Sequence, residues 1–162
     1  MSALPSPARI HAQRALGRVL RRSSRLAHCT LDATLAGVEL TFTQWSVLRL
    51  LNEVGEVQVG DLARAVEMTG GAMTRLIDAL EQRGLASRQR SQADRRLVKV
   101  LPTEAGNRLL DESAPSVTAA WSDLLAPFDT AEIDDMTRLL SRLVVALEHR
   151  TSASNFLMES LS

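Results

Sequence analysis

Four arginines, Arg88, Arg90, Arg95 and Arg96, stand within nine residues, the two pairs separated by the polar run Ser91-Gln92-Ala93-Asp94. A guanidinium is planar, permanently charged and forked, so it grips phosphates and base-edge acceptors in pairs. Upstream, Thr69-Gly70-Gly71-Ala72-Met73-Thr74-Arg75 joins a capping hydroxyl, two glycines, and a hydroxyl and guanidinium one turn on. Free amides at a helix start hold phosphate, small residues let a backbone come close, and Thr74 and Arg75 have the reach to meet base edges. These residue types suit recognition of a polyanion. They do not suit catalysis. His11, His28 and His149 are scattered, there is no glycine-rich phosphate loop, and no nucleophile, base and orienter converge. With Cys29 as the single cysteine, no metal-ligand set can be read and no cofactor is expected.

Charge is segregated although the formal net charge is zero. Residues 64–99 hold eight basic and four acidic side chains, residues 103–162 four basic and ten acidic, and the first 63 residues seven and five. A basic middle beside an acidic end suits a molecule that turns one face to a polyanion and keeps the other away. A chain of 162 residues is long enough for one well-buried core, and 45% hydrophobic with 23% charged residues is the composition of an ordinary soluble protein. With no tyrosine and 3% aromatics, a base-stacking platform for single strands is a poor fit. The N-terminus lacks the apolar run of a signal peptide, and no uncharged stretch reaches the roughly 18 residues of a membrane span. No membrane partner and a cytoplasmic address are therefore expected.

These side chains need elements to position them. Ser6-Pro7 is a helix start, and Leu16, Val19, Leu20, Leu26, Leu31 and Leu35 recur at helical spacing to about Ala36, with Gly37 as the stop. Thr41 caps a second helix carrying Trp45, Leu48 and Leu51 and ending at Gly55. Gly60 to Val66 reads as a short third helix. After the Glu67-Met68-Thr69 turn, a fourth runs from about Gly70 to Gln82 with Met73, Leu76, Ile77 and Leu80 inward. The period then changes: Leu85 to Arg90 and Arg96 to Leu101 read as strands of a hairpin with a basic tip, closed by Pro102. Thr103 caps a helix interrupted near Pro115 or ended by Pro127. From Thr130 another helix bears Ile133, Met136, Leu139, Leu140, Leu143, Val144 and Leu147. The tail from Thr151 is left unassigned.

A short helix, a turn, a second helix and a basic hairpin is the order of a winged helix-turn-helix, whose second helix enters the major groove. The fold class expected is mainly α with a small β-wing: an N-terminal dimerisation helix (1–40), a DNA-binding lobe (41–102) and C-terminal dimerisation helices (103–162). The long amphipathic ends cannot easily satisfy one another in one small unit, so a two-fold homodimer is the natural closure. Recognition-helix candidates are Thr69, Gly70, Gly71, Ala72, Thr74 and Arg75. Wing candidates are Arg88, Arg90, Asp94, Arg95 and Arg96, an arginine tip fitting the narrow minor groove. Asp94 either pairs with Arg96 and holds its guanidinium extended or simply forms the turn.

The chain resembles the MarR family over roughly residues 41–110. The resemblance rests on the run from Thr41 through Gln44 to Leu51, on Asp61-Leu62-Ala63, and on Gly71 to Arg75 with Ile77-Asp78 and Leu80-Glu81. Gly84-Leu85, Asp94-Arg95-Arg96 and Thr103-Glu104-Ala105-Gly106 complete it. Pro102 departs from it, standing where the family usually has Leu. The resemblance implies a dimer built from the first and last helices, and a wing tip in which Asp94 and Arg96 match the family's Asp-x-Arg. It further implies a transcriptional repressor that binds a pseudo-palindromic double-stranded operator and is released by a small phenolic or carboxylate effector.

For the effector, Arg25 with His28 is placed to take a carboxylate in the cleft between lobe and dimer region, and Trp45 to line it. Against this stand a basic stripe formed by Arg14, Arg18, Arg21, Arg22 and Arg25 that is solvated or pairs with the acidic last helix across the dimer, and an ordinary core tryptophan. A rival mode is oxidation of Cys29, set against a buried inert thiol. A protein-binding winged helix that never touches DNA is the remaining alternative.

Overall fold

The computed structural model describes residues 7–90 and 98–159, with side chains for 14–89 and 98–149. The chain divides into two compact units, Met1–Ala120 and Trp121–Ser162. The elements run α1 (Pro7–Thr34), a 3-10 turn (Ala36–Val38), α2 (Phe42–Val54), β1 (Val57–Gln58), α3 (Val59–Ala65) and α4 (Gly70–Gln82). They continue with β2 (Ala86–Arg90), β3 (Val98–Pro102), α5 (Glu104–Leu125) and α6 (Thr130–Glu159).

In the first unit, apolar residues of α1 (from Leu31 on), α2, α3, α4 and α5 form one core with a three-stranded antiparallel sheet of order β1-β3-β2. Leu31, Leu48, Leu51, Leu62, Met73, Ile77, Leu80 and Val100 are fully buried there. The hairpin register pairs Ala86 with Pro102 and Arg90 with Val98, so Pro102 does close the second strand. β1 was not foreseen; its two residues pair with Val100 and Lys99 and tie the segment before α3 to the wing.

Helix ends follow local chemistry. Thr41 and Gln44 form a reciprocal capping box at α2, the Thr41 amide donating to Gln44 Oε1 at 2.9 Å. The stop of α1 differs from expectation: Gly37 lies inside the 3-10 turn, and Glu39 takes the left-handed backbone (φ 52°). The helix after Thr103 runs straight through Pro115. Gly106 in its first turns is buried against Leu85, where a Cβ would collide with the Leu85 carbonyl oxygen and meet Leu48 Cδ1 at 3.1 Å. Thr103 locks the same junction, its hydroxyl donating to Gly84 O at 2.6 Å and accepting from the Gly106 amide at 3.1 Å.

In the second unit, α6 opens on an Asp129 cap, whose carboxylate accepts from the Glu132 amide at 2.9 Å while Glu132 accepts from the Asp129 amide at 3.0 Å. The helix continues to Glu159, past the point left unassigned from the sequence.

Candidate nucleic-acid interface

Thr69 caps α4: its backbone is extended and its hydroxyl oxygen accepts from the Ala72 amide at 3.3 Å. With Met73, Leu76, Ile77 and Leu80 buried, helical periodicity turns the first turn's opposite side outward, and Thr69, Gly70, Gly71, Thr74 and Arg75 are exposed, with Ala72 half-buried. The amides of Gly70 and Gly71 open the helix at its positive end. Thr74 donates its hydroxyl proton to Gly70 O at 2.9 Å, which leaves its oxygen as an outward acceptor. Arg75 has no ion-pair partner among the described residues. All six recognition-helix candidates therefore share one surface.

The wing candidates divide. Arg90 ends β2, its side chain outside the described residues; Asp94, Arg95 and Arg96 also lie outside them, and with them the suggested Asp94–Arg96 pair. Arg88 is placed otherwise than an exposed ribbon residue. Its backbone amide donates to Glu81 Oε1 at 2.7 Å, and Nη1 donates to Asp78 Oδ1 at 2.6 Å and to Glu81 Oε2. Nη2 donates to the Thr74 carbonyl at 3.2 Å. Burial acts to lower the guanidinium's pKa, but the bond to Asp78 and the negative field of Glu81 and Asp78 outweigh it and hold the pKa above its ordinary value. The two acids stand one turn apart on α4 and draw the charge inward, so Arg88 braces β2 against the helix.

The effector candidates are brought together in part. The His28 ring meets Phe42 edge-on at 5.6 Å, Phe42 stacks on Trp45 at 6.0 Å, and Arg49 lies 5.7 Å from the Trp45 ring centre. Trp45 is buried and donates its indole N–H to Ser113 Oγ at 2.8 Å. His28 is exposed, with Nδ1 2.8 Å from Ser24 O. Arg25 lies instead on an exposed stretch of α1 with Arg18, Arg21 and Arg22. Cys29 is exposed, which corrects the expectation of a buried thiol. Phe42 and Ser113 were missed: Phe42 lies within the α2 run without a charge to mark it, and Ser113 meets its partner across 68 residues.

Residues 40–98, which run through α2, β1, α3, α4 and β2 to the first residue of β3, match the model of the MarR family. That segment is similar to the DNA-binding domain of the MarR family. The chain's solved relatives have the same mainly helical fold with a small antiparallel sheet. A probable transcriptional regulator from Pseudomonas aeruginosa is 28% identical, covering 78% of this chain and 95% of its own at a TM-score of 0.74. A Bordetella bronchiseptica protein, BpsR, whose DNA binding is regulated by 6-hydroxynicotinic acid, is 26% identical over 79% of this chain and 91% of its own, with a TM-score of 0.74. A mutant MarR from E. coli, solved with operator DNA, shares the fold at a TM-score of 0.76 and 22% identity, over 80% of this chain and 93% of its own. The family whose model matches residues 40–98 consists of transcriptional regulators, not enzymes. Among the described residues no helix is long and apolar enough to cross a membrane.

Proposed function

We propose that this chain is a MarR-family regulator, a homodimeric repressor that reads a pseudo-palindromic operator and is released by a small aromatic or phenolic carboxylate. The observation that carries the reading is the exposed start of α4, where open amides, Thr74 and Arg75, which has no ion-pair partner among the described residues, share one surface. In the reading, Thr69 to Arg75 enter the major groove and Arg90, Asp94, Arg95 and Arg96 form the wing that follows the minor groove, while Arg88 holds the two together. Dimerisation is supported by apolar side chains left exposed on α1 (Leu16, Val19 and Leu26) and, separately, on α6 (Leu139, Leu140, Val144 and Leu147). Effector release is supported by the BpsR comparison and by the His28, Phe42 and Trp45 ring cluster. In this reading Arg25, one turn before His28 on α1, would have to swing toward the ring cluster to take the effector's carboxylate.

Selection from a random duplex pool tests the reading. A pseudo-palindrome with half-site centres about one helical turn apart is expected. Arg96→Ala should weaken that operator by about 1–3 kcal/mol, and Arg75→Ala should relax base preference at one position per half-site. Binding should fall about 10³-fold or more between 50 and 200 mM salt if about six phosphates are neutralised. A protein-binding winged helix would select no duplex.

The exposure of Cys29 favours a second reading, release by thiol oxidation. Mass spectrometry after mild peroxide decides it: an unmodified Cys29 with operator binding unchanged ends the redox reading.

A further inference from the structure

α4 ends on Arg83, and its backbone there is fixed by a closing motif in which Gly84 N–H donates to Glu81 O at 2.8 Å and Leu85 N–H to Leu80 O at 2.9 Å. The Arg83 side chain then reaches back more than forty residues. Nη1 donates to Glu39 O at 2.5 Å and Nη2 to Val38 O at 2.8 Å. These are the last carbonyls of the turn that ends α1, and Glu39 there is a non-glycine residue held at φ 52° and ψ 37°. Left-handed backbone is unfavourable for such a residue and persists where neighbours fix it. The turn's own bonds are Val38 N–H to Leu35 O and Glu39 N–H to Ala36 O, both at 3.1 Å, and Leu40 N–H to Leu35 O at 3.5 Å, and to these the arginine fork adds two charge-assisted bonds from outside the turn. A few residues upstream, Asp32 Oδ1 accepts from the Phe42 amide at 2.6 Å, pinning the end of α1 to the start of α2.

We propose that Arg83 is a positioning residue for DNA reading: its fork on the Val38 and Glu39 carbonyls fixes the direction of α4 relative to α1, and thereby the half-site spacing that the dimer accepts. The spacing role rests on the homodimeric repressor reading above. Because α1, α2 and the end of α4 meet at this one turn, a tilt of α1 is passed to the reading helix. Only a planar fork reaches both carbonyls at once, so lysine keeps the charge and loses the geometry.

Full-length wild type, Arg83→Lys and Arg83→Met separate the possibilities. In the free proteins, amide hydrogen exchange at Glu39 and Leu40 should be about tenfold faster in both variants, with the β2–β3 amides unchanged. On duplexes with one selected half-site at spacings altered by a base pair, wild type should prefer one spacing. The variants should lose most of that preference while the salt dependence of binding stays the same. An exchange pattern unchanged in both variants overturns the fork. A preference kept intact while the slope of log affinity against log salt falls by about 0.9 per protomer overturns the positioning role, since Arg83 would then be a phosphate contact. A wild-type protein with no preferred duplex refutes the repressor reading and the spacing role with it, whereas unchanged exchange in a protein that reads its operator refutes the fork alone.

Discussion

Replacing Arg88 by methionine keeps the apolar stem and removes the guanidinium. The side chain is 26% exposed, and its partners Asp78 and Glu81 are 45% and 29% exposed. A sheltered hydrogen bond to a charged group contributes about 1.5–3 kcal/mol, and an exposed ion pair about 0–1. Glu81 stands nearer the first case and Asp78 nearer the second. The variant also leaves two carboxylates one turn apart on α4 without the cation between them. A loss of about 2 kcal/mol is expected, a fall in Tm of about 4–8 °C for a chain of this length. Because the guanidinium's pKa is raised in the folded state, its contribution is fully present below the unfolded value and is lost only as pH rises through the folded one. The gap between wild type and variant should therefore stay level from about pH 7 to pH 10. Thermal melts across that range measure the stability, and operator titrations at several salt concentrations measure the role. Affinity should fall because β2 loses its hold on α4, with the salt slope unchanged. If stability were unaltered and the slope fell by about 0.9 for each Arg88 removed, the guanidinium would be leaving its carboxylates for phosphate, and the bracing argument would fail.

Gly106→Ala drives a methyl group into the Leu85 carbonyl, which is backbone and cannot swing aside, so about 3 kcal/mol should be lost in denaturant titration. Ser113→Ala removes the acceptor of the buried Trp45 indole and should cost about 1–3 kcal/mol. Adding Trp45→Phe should then cost less than the two single changes summed, as a double-mutant cycle would read. Thr69→Ala removes the cap of α4 and should cost about 1 kcal/mol in the same titration, with a larger proportional loss of operator affinity because the frayed turn is the one proposed to meet DNA.

What the residues announced in advance depended on the range of the interaction. α4 could be read closely because everything that defines it is local: a threonine cap, four apolar residues on one face and the Arg83-Gly84 stop. β1 could not, since a two-residue strand has no period and exists only by pairing with β3 some forty residues on. Density of charge pointed correctly to the β2–β3 hairpin but not to where each charge turns. Arg88 and Arg90 share a strand parity, yet Arg88 is claimed by Asp78 and Glu81, whose one-turn spacing on α4 was present in the sequence as an unused signal. Gly37 was a reasonable stop for α1 by composition, but Glu39 took the left-handed position, and the fork of Arg83 onto that turn shows why composition alone could not place it. Cys29 was misjudged for the converse reason: cysteine is buried on average, while this one lies on the outward side of α1.

A helix that reads a groove must keep its first turn clear of protein partners, so it has to be held from everywhere else. In α4 the apolar face begins at Met73, Arg88 takes Thr74 O, Asp78 and Glu81 along the flank, and Arg83 ties the far end to the α1–α2 turn. The anchors act from Met73 onward, which leaves the Gly70 and Gly71 amides and the Arg75 guanidinium open among the described residues, on a helix held along the rest of its length. Affinity gained this way comes from entropy not lost on binding, since groups already fixed in direction have less freedom to give up. It follows that the anchors should govern specificity more than bare attraction. Weakening any of them leaves the cationic surface intact for non-specific duplex while blurring the choice between operator and competitor, and the ratio of the two affinities is therefore the quantity in which their loss should be sought.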